Sequence, residues 1–264
     1  MWLIYTFFFI FGTVVGSFLN VVVLRLKKNE SIFKKRSYCP NCKKKLTWSE
    51  LIPIVSFLIQ KGKCRKCRKK ISLQYPLVEF FTGLIFLLVA IYYFDFNPYA
   101  LINLFYLLIV SSFLIVIFVY DLKYYLVSDK VIYPAIFIAI LYDIYLAFMS
   151  GQLSVLTLSF AAAFIIGGFF LLLVLISKEK WMGMGDVKIG ILMGLFFGPF
   201  QFLTAIFLAF LLGAIVSIVL IALKKKTMKS EIPFGPFLTG ASFITIFWGT
   251  YLMHWYFNVF TGIL

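Results

Sequence analysis

The sequence predicts an all-α polytopic membrane protein of about eight transmembrane helices, with a small zinc-ribbon-like insert of four cysteines between the first two helices. Three observations lead to this prediction: the composition, the lengths of the apolar segments and the distribution of positive charge. Of the 264 residues, 63% are hydrophobic and only 13% are charged, whereas a soluble domain is about half apolar and about a quarter charged. One aqueous core cannot bury so much apolar surface, so the bilayer must form part of the solvent.

Eight apolar segments are long enough, or nearly long enough, to span a bilayer, which takes about 20 residues. The sixth is short and needs support from its neighbours. Gly198-Pro199 separates it from the seventh, because proline cannot continue a helix and glycine allows the chain to turn. We predict transmembrane helices over residues 2–24, 77–94, 100–120, 131–149, 153–176, 187–197, 200–223 and 237–257.

Positive charge falls almost entirely on one side of these helices. The connections after the first, third, fifth and seventh helices hold all 25 Lys and Arg residues except Lys188, and the other connections hold none. Because basic loops stay in the cytoplasm, both termini should lie outside a bacterial cytoplasmic (inner) membrane. Fifteen of the 25 lie between Lys27 and Lys70, where we expect them to face an anionic leaflet rather than a nucleic acid.

The long first connection divides the chain into three predicted parts: a transmembrane helix over residues 1–25, a cytoplasmic domain over residues 26–76 and a seven-helix membrane domain over residues 77–264. All four cysteines lie in the cytoplasmic domain, as two Cys-x-x-Cys pairs separated by 21 residues. Two such pairs on tight turns can hold one Zn²⁺ in a closed, structural site. Redox pairs or disulfides are the alternative, against which a cytoplasmic position argues. The predicted ligands are Cys39, Cys42, Cys64 and Cys67.

Two of the ten acidic residues lie in suggestive contexts at helix ends on the predicted cytoplasmic side: Asp121 ends the third helix and Asp186 begins the sixth. Two neighbouring carboxylates can share one proton, so that one activates water while the other polarises a carbonyl. Gly183 and Gly185, which precede Asp186, leave room for a substrate backbone. The aspartates are therefore candidates for a catalytic pair that hydrolyses a bond without a metal.

Simpler interpretations compete with a catalytic one. An aspartate at a helix N-terminus caps the helix, which would explain both Asp186 and Asp129. Asp121 lies at a helix C-terminus, where the dipole disfavours an anion, so a functional role is favoured there. We expect Lys188 either to stabilise an ionised aspartate or to anchor its helix at the interface. The single histidine, His254, lies near the predicted outer face, which excludes a Ser-His-Asp arrangement on the cytoplasmic side.

Taken together, these motifs resemble those of the type IV prepilin peptidases, or type IV leader peptidases, a family grouped with the GxGD membrane aspartic proteases. The resemblance covers nearly the whole chain. Asp121 and Asp186 match the two catalytic aspartates, with Asp129 and Lys188 at further motif positions, and Ser128 departs from a position that is often proline. The other matching segments are Gly16-Ser-Phe-Leu-Asn20-Val-Val-Val-Leu-Arg25-Leu, the cysteine quartet, Tyr75-Pro-Leu-Val-Glu79 and Ile232-Pro-Phe-Gly-Pro-Phe-Leu238.

The resemblance implies an enzyme with two activities. Members of the family cut the basic leader of type IV prepilins or pseudopilins after a glycine, and many then methylate the new N-terminal residue with S-adenosylmethionine (AdoMet). The four-cysteine domain accompanies the bifunctional members, so methylation is expected here. Gly16, Asn20, Arg25 and Glu79 are motif positions that become candidates for the AdoMet site, with helix packing and interfacial anchoring as their alternative roles. The expected partners are the protein substrate and the bilayer, and the sequence indicates no oligomeric state.

Three other functions fit parts of the sequence. A peptidase without methylation would not bind AdoMet. A non-catalytic zinc-ribbon scaffold would tolerate Asn in place of Asp121 and Asp186 but not the loss of the cysteines. A proton- or cation-coupled transporter would place acidic residues near the bilayer midplane, and their predicted position at one membrane face argues against it.

Overall fold

The structure, a computed structural model, describes residues 1–32, 36–227, 230 and 232–261. Within these ranges every secondary-structure element longer than an isolated bridge is a helix. The predicted all-α class is therefore confirmed. A 3₁₀ turn (Trp48–Glu50) and two isolated β-bridges complete the regular structure of the described residues. The helices are α1 (Trp2–Lys27), α2 (Val55–Ile59), α3 (Gln74–Tyr93), α4 (Pro98–Tyr124), α5 (Asp129–Ser150), α6 (Leu153–Ser177), α7 (Met184–Ala222) and α8 (Gly235–Thr261).

Six helices of the described part of the chain, α1 and α3 to α7, are long and apolar enough to cross a membrane. The 39 residues of α7 contain the sixth predicted segment and all but the last residue of the seventh. These segments meet at Gly198, whose φ of 65° and ψ of −168° interrupt the helix in a conformation almost confined to glycine, directly before Pro199. α8 covers the eighth predicted segment but is not among the six. The predicted break at Gly198-Pro199 is therefore confirmed as a kink between two helical segments.

Contacts among the helices divide the chain into two compact units. The units are Met1–Val116 and Ile117–Leu264. In the first unit, α1 packs against α3 through glycines: a Cβ atom on Gly12 would lie 2.8 Å from Gly83 Cα, and one on Gly16 would lie 2.8 Å from Glu79 Cα. Gly12 and Gly16 are four residues apart and so share one face of α1, which allows the two backbones to approach closely.

In the second unit, α7 packs against α5, α6 and α8. Its contact with α6 is also made through small residues. A Cβ atom on Gly194 would lie 2.5 Å from Ala163 Cα, and one on Gly190 would lie 2.7 Å from the ring of Phe170. This close packing buries the first half of α7, the half that begins with the predicted catalytic segment.

Candidate active site

Asp186 lies in the first turn of α7, next to the capping residue Gly183. Its Oδ2 accepts a hydrogen bond from the Gly183 N–H (3.3 Å), and its own N–H donates to Gly183 O (3.1 Å). These two reciprocal hydrogen bonds satisfy backbone N–H groups at the start of the helix that have no partner within it. Asp186 therefore caps its own helix, and it is also buried, with only 8% of its surface exposed.

Asp121 lies in the last turn of α4, and only 5% of its surface is exposed. The helix stops just beyond it, where the Tyr125 N–H donates to Asp121 O (2.8 Å) and Tyr125 takes the left-handed conformation common at helix ends (φ 56°). The carboxylate of Asp121 is close enough to that of Asp186 for their charges to repel each other. The second unit thus brings together the two aspartates that the sequence predicts to act as a pair.

Gly235, the first residue of α8, also meets this pair. Its N–H donates a hydrogen bond to the carboxylate of Asp121. A side chain has no room here, because a Cβ atom on Gly235 would press against Asp121 Oδ2 and would lie 3.2 Å from Asp121 Cγ and 3.1 Å from Ile189 Cδ1. Since a helix N-terminus favours negative charge, α8 gives Asp121 an interaction that the C-terminus of its own helix cannot supply.

The two glycines before Asp186 have different surroundings. A Cβ atom on Gly185 would lie 2.6 Å from Val127 Cγ2, so Gly185 packs against the loop between α4 and α5. A Cβ atom on Gly183 would meet nothing nearer than the Gly185 nitrogen at 3.9 Å. Open space for a substrate backbone is therefore found at Gly183, whereas the space at Gly185 is filled by Val127.

Lys188, in the second turn of α7, pairs with the carboxylate of Asp129. Its Nζ also lies over the ring of Tyr133, 5.2 Å from the centroid. Since Asp129 and Tyr133 belong to the first two turns of α5, these contacts join the start of α5 to the start of α7. Asp129 thus serves as the ion-pair partner of Lys188.

The four cysteines converge in the first unit, as the sequence predicts. Their Sγ atoms all lie within 4.8 Å of one another, with 3.9 Å between Cys39 and Cys67 and 3.9 Å between Cys42 and Cys64. Thiolates held about 2.3 Å from a tetrahedral zinc ion would be about 3.8 Å apart. The cluster therefore fits a metal ion, and its thiols are free rather than joined in disulfides.

The two cysteine pairs are built alike. In each, the N–H of the first cysteine donates to a carbonyl five residues later, at 2.9 Å from Cys39 to Lys44 and at 3.0 Å from Cys64 to Lys69. The residue after the second cysteine takes a left-handed conformation in both (φ 54° and 58°). Backbone N–H groups, foremost that of Cys67, lower the pKa of the Cys64 thiol to about 6. At Cys64 this favours the thiolate form that binds metals, whereas burial and the neighbouring thiols raise the pKa of the Cys67 thiol to about 11.

Three of the candidate AdoMet residues share one cluster between α1 and α3. Asn20 Nδ2 donates to the carbonyls of Gly16 (3.2 Å) and Tyr75 (3.1 Å). Glu79 Oε2 accepts from the N–H of Ile54 at 2.7 Å. Asn20 and Glu79 are 1% and 7% exposed, so their polar atoms already serve contacts within the first unit.

The fourth candidate, Arg25, is used elsewhere in the first unit. Its guanidinium group donates to the carbonyls of Ser31 and Ile32, in the turn that follows α1. Arg25 therefore fixes the exit of the chain from α1.

Two residues of the site, Gly235 and Val127, make contacts that the sequence did not predict. Gly235 stands inside the Ile232–Leu238 motif, and the signal there is a glycine directly before the proline of a helix start. Val127 carries no comparable signal, because an apolar residue in a short loop is unremarkable. Both acquire their roles only through contacts with distant parts of the chain.

Comparison with protein-family models identifies two matches. Residues 10–93 match the bacterial peptidase A24 N-terminal domain, and residues 108–218 match the type IV leader peptidase family. The first match contains the four cysteines, and the second contains Asp121 and Asp186.

Curated relatives match over almost their full length. A prepilin leader peptidase/N-methyltransferase of Bacillus subtilis is 30% identical over 96% of this chain and 98% of its own. Proteins of the same name from Aeromonas hydrophila and Pseudomonas aeruginosa are 29% and 30% identical, over 98% and 93% of this chain and 96% and 90% of theirs. No solved structure was found to match the chain. The chain belongs to the type IV leader peptidase family.

Proposed function

We propose that this protein cleaves the leader peptide from prepilins or pseudopilins, and that Asp121 and Asp186 are its catalytic pair. The observation that carries the proposal is the arrangement of these two carboxylates: both are buried, they are neighbours, and each accepts a hydrogen bond from a backbone N–H at a helix N-terminus. The names of the relatives, prepilin leader peptidase/N-methyltransferase, supply the substrate class.

The chemistry follows from two carboxyl groups that share one proton. The ionised carboxylate takes a proton from water as the water oxygen attacks the scissile carbonyl. The protonated carboxyl gives its proton to the carbonyl oxygen, which produces a tetrahedral intermediate without an acyl-enzyme. When the intermediate collapses, the C–N bond breaks, the proton held by the first carboxyl passes to the leaving amine, and a hydroxyl proton of the intermediate returns to the second carboxylate. The pair titrates as a unit, so the two roles belong to Asp121 and Asp186 jointly.

The surrounding residues hold this pair in place. The N–H groups of Gly183 and Gly235 orient the two carboxylates, and the open space at Gly183 would admit the substrate backbone. The contact of Lys188 with Asp129 sets the start of α7 against the start of α5. We assign Lys188 and Asp129 positioning roles, because their contacts join the start of α7 to the start of α5.

We further propose that the protein methylates the new N-terminal residue, as the names of its relatives indicate for them. AdoMet would supply the methyl group. Gly16, Asn20, Arg25 and Glu79 remain our candidates for the AdoMet site, and the last three also make hydrogen bonds within the first unit. Zinc is the metal we propose for the cysteine cluster, where four protein ligands leave no open position, so its role would be structural.

The orientation that we propose places the cysteine cluster and the aspartates on the cytoplasmic side of the inner membrane and both termini outside. The distribution of Lys and Arg supports it. A prepilin would then lie with its apolar segment in the bilayer and its basic leader in the cytoplasm, so that the bond between them meets the aspartates at the membrane edge.

The test is cleavage of a prepilin by the full-length protein in membranes. We expect Asp121→Asn and Asp186→Asn each to lower the rate by about 10²–10⁴-fold, since each removes one member of the acid–base pair. Asp95→Asn is the matched control, because Asp95 is exposed in the loop between α3 and α4. Normal cleavage by both variants, at equal protein levels, would refute the catalytic assignment and favour a scaffold.

A separate assay tests methylation. Purified protein is incubated with prepilin and isotopically labelled AdoMet, and the label is sought on the N-terminal residue of the product. Cleavage without transfer of label would indicate a peptidase alone.

A further inference from the structure

A group of large apolar side chains is exposed on a segment of the first unit that is otherwise basic. We call residues 48–59, which contain the 3₁₀ turn and α2, the apolar turn. Exposed apolar clusters of this kind mark interaction surfaces. The exposed residues are Trp48 (79%), Leu51 (41%), Ile52 (39%), Val55 (48%), Leu58 (67%) and Ile59 (67%).

A hydrogen bond ties the apolar turn to a membrane-spanning helix. The N–H of Ile54 donates to Glu79 Oε2 at 2.7 Å. Ile54 has a φ of 60°, a strained conformation for a β-branched residue, so this contact helps to hold a backbone shape that isoleucine does not favour by itself. Since Glu79 belongs to α3, the apolar turn is fixed to the level of Glu79 on that helix.

The length of α3 indicates how deep Glu79 lies in the membrane. The helix has 20 residues, and at a rise of 1.5 Å each it is about 30 Å long, which is about the thickness of the hydrocarbon core. If α3 spans the hydrocarbon core, no part of the helix extends far beyond it. Glu79 is about 7.5 Å along the helix from Gln74, and side chains lean toward the helix N-terminus. With α3 spanning the core, the apolar turn would therefore lie near the boundary between headgroups and hydrocarbon.

The charges around the apolar turn suit an anionic surface. Glu50 is the only carboxylate between residues 36 and 73. It is buried and paired with Lys44 at 2.9 Å. Hydrogen bonds from the Thr47 N–H and from Lys44 lower the pKa of Glu50 to about 2, so it stays ionised and neutralises that lysine. The exposed charges on either side are all positive: Lys43, Lys45, Lys61 and Lys63.

We propose that the apolar turn is inserted into the membrane interface around the protein, with anionic phospholipid as its partner. Apolar segments flanked by lysines lie in this zone, their apolar side chains among the upper acyl chains and their ammonium groups at the phosphates. Insertion covers apolar side chains that would otherwise face water. It also holds the cysteine cluster, whose two pairs flank the turn in sequence, at the membrane surface.

The experiment places a photo-reactive residue on the turn in the full-length protein. Leu58→p-benzoylphenylalanine is reconstituted into nanodiscs of phosphatidylethanolamine and phosphatidylglycerol, irradiated and analysed by peptide mass spectrometry. Lys66→p-benzoylphenylalanine is the control, since Lys66 is exposed within the second cysteine pair. We expect phospholipid adducts at position 58 to be several-fold more frequent than at position 66, with phosphatidylglycerol enriched over its share of the bilayer.

Two results would overturn the proposal: equal lipid adducts at both positions, or adducts of the position-58 probe mainly with peptides of this chain or of a second copy. Substitution of Glu79 adds an independent measurement. Glu79→Ala removes the acceptor of the Ile54 N–H and should lower lipid adducts at position 58 several-fold, whereas Glu79→Gln keeps an acceptor oxygen and should preserve most of them. Unchanged adducts in Glu79→Ala would show that Glu79 does not set the depth.

Discussion

The backbone N–H of Gly235 donates a hydrogen bond to the carboxylate of Asp121, so the first turn of α8 is part of the site. Asp186 has a similar partner, because its Oδ2 accepts from the N–H of Gly183 at the start of α7. Each aspartate is thus held by a backbone amide at a helix N-terminus, where negative charge is favoured. A glycine can supply such an amide without adding a side chain that would block the substrate.

We predict that Gly235→Ala lowers the rate of prepilin cleavage by about 100-fold, because small displacements of a catalytic group have effects of this size. The added Cβ would lie 3.2 Å from Asp121 Cγ and 3.1 Å from Ile189 Cδ1, and it would push the carboxylate away from its partner. Steady-state kinetics should show the loss in kcat, with little change in KM.

Gly240→Ala is the control for this variant. Gly240 lies on the same helix, and a Cβ atom there would meet nothing within 4 Å. The Gly240→Ala variant should cleave prepilin at the wild-type rate. A wild-type kcat for Gly235→Ala, or an equal loss in both variants, would contradict a specific role for Gly235.

The contact between Lys188 and Asp129 should contribute little to stability. The side chain of Asp129 is 59% exposed, and exposed ion pairs contribute about 0.2–1 kcal/mol. A double-mutant cycle with Lys188→Met and Asp129→Asn, followed by thermal unfolding in detergent, should give a coupling free energy in that range. A coupling free energy above about 2 kcal/mol would indicate a buried, strongly held pair instead.

Packing between α6 and α7 should depend on Gly194. A Cβ atom there would lie 2.5 Å from the backbone of Ala163, so Gly194→Ala should lower the free energy of unfolding by about 1–3 kcal/mol through overpacking. Gly168→Ala on α6 is the matched control, because nothing lies within 4 Å of its Cβ position, and it should be neutral or stabilising by up to about 1 kcal/mol. Equal stability of the two variants would refute close contact at Gly194.

Loss of the metal should separate the two proposed activities. Cys64→Ser removes one of four ligands, so we expect bound zinc, measured by elemental analysis, to fall to a small fraction of the wild-type content. Methyl transfer should be lost with it. Cleavage should stay within a few-fold of the wild-type rate, because both aspartates and the amides that hold them belong to the second unit. Ser49→Ala, in the same segment, should retain zinc, and full zinc content in Cys64→Ser would contradict the metal site.

Much of the fold could be predicted from local patterns. Apolar segments near the length of a bilayer crossing, basic connections between alternate helices and the Gly198-Pro199 step located every long helix and the kink in α7. The spacing of the four cysteines predicted their convergence, because each pair forms its own turn. These features depend on neighbouring residues and on the thickness of the bilayer, so the sequence contains them directly.

The contacts that complete the site could not be predicted in this way. A helix in lipid is apolar on all sides, so the periodicity that reveals the buried face of a helix in water is absent. Only the packed structure shows that Gly16 faces Glu79, that Val127 fills the space at Gly185 and that Gly235 meets Asp121.

The sequence by itself therefore determined that this protein lies in a bilayer, where its helices run and which residue types are available for chemistry. The tertiary structure decided which of those residues meet. The physical reason is that membrane insertion depends on the apolar content of each segment alone, whereas the choice of helix faces depends on close packing between small residues that are far apart in the chain.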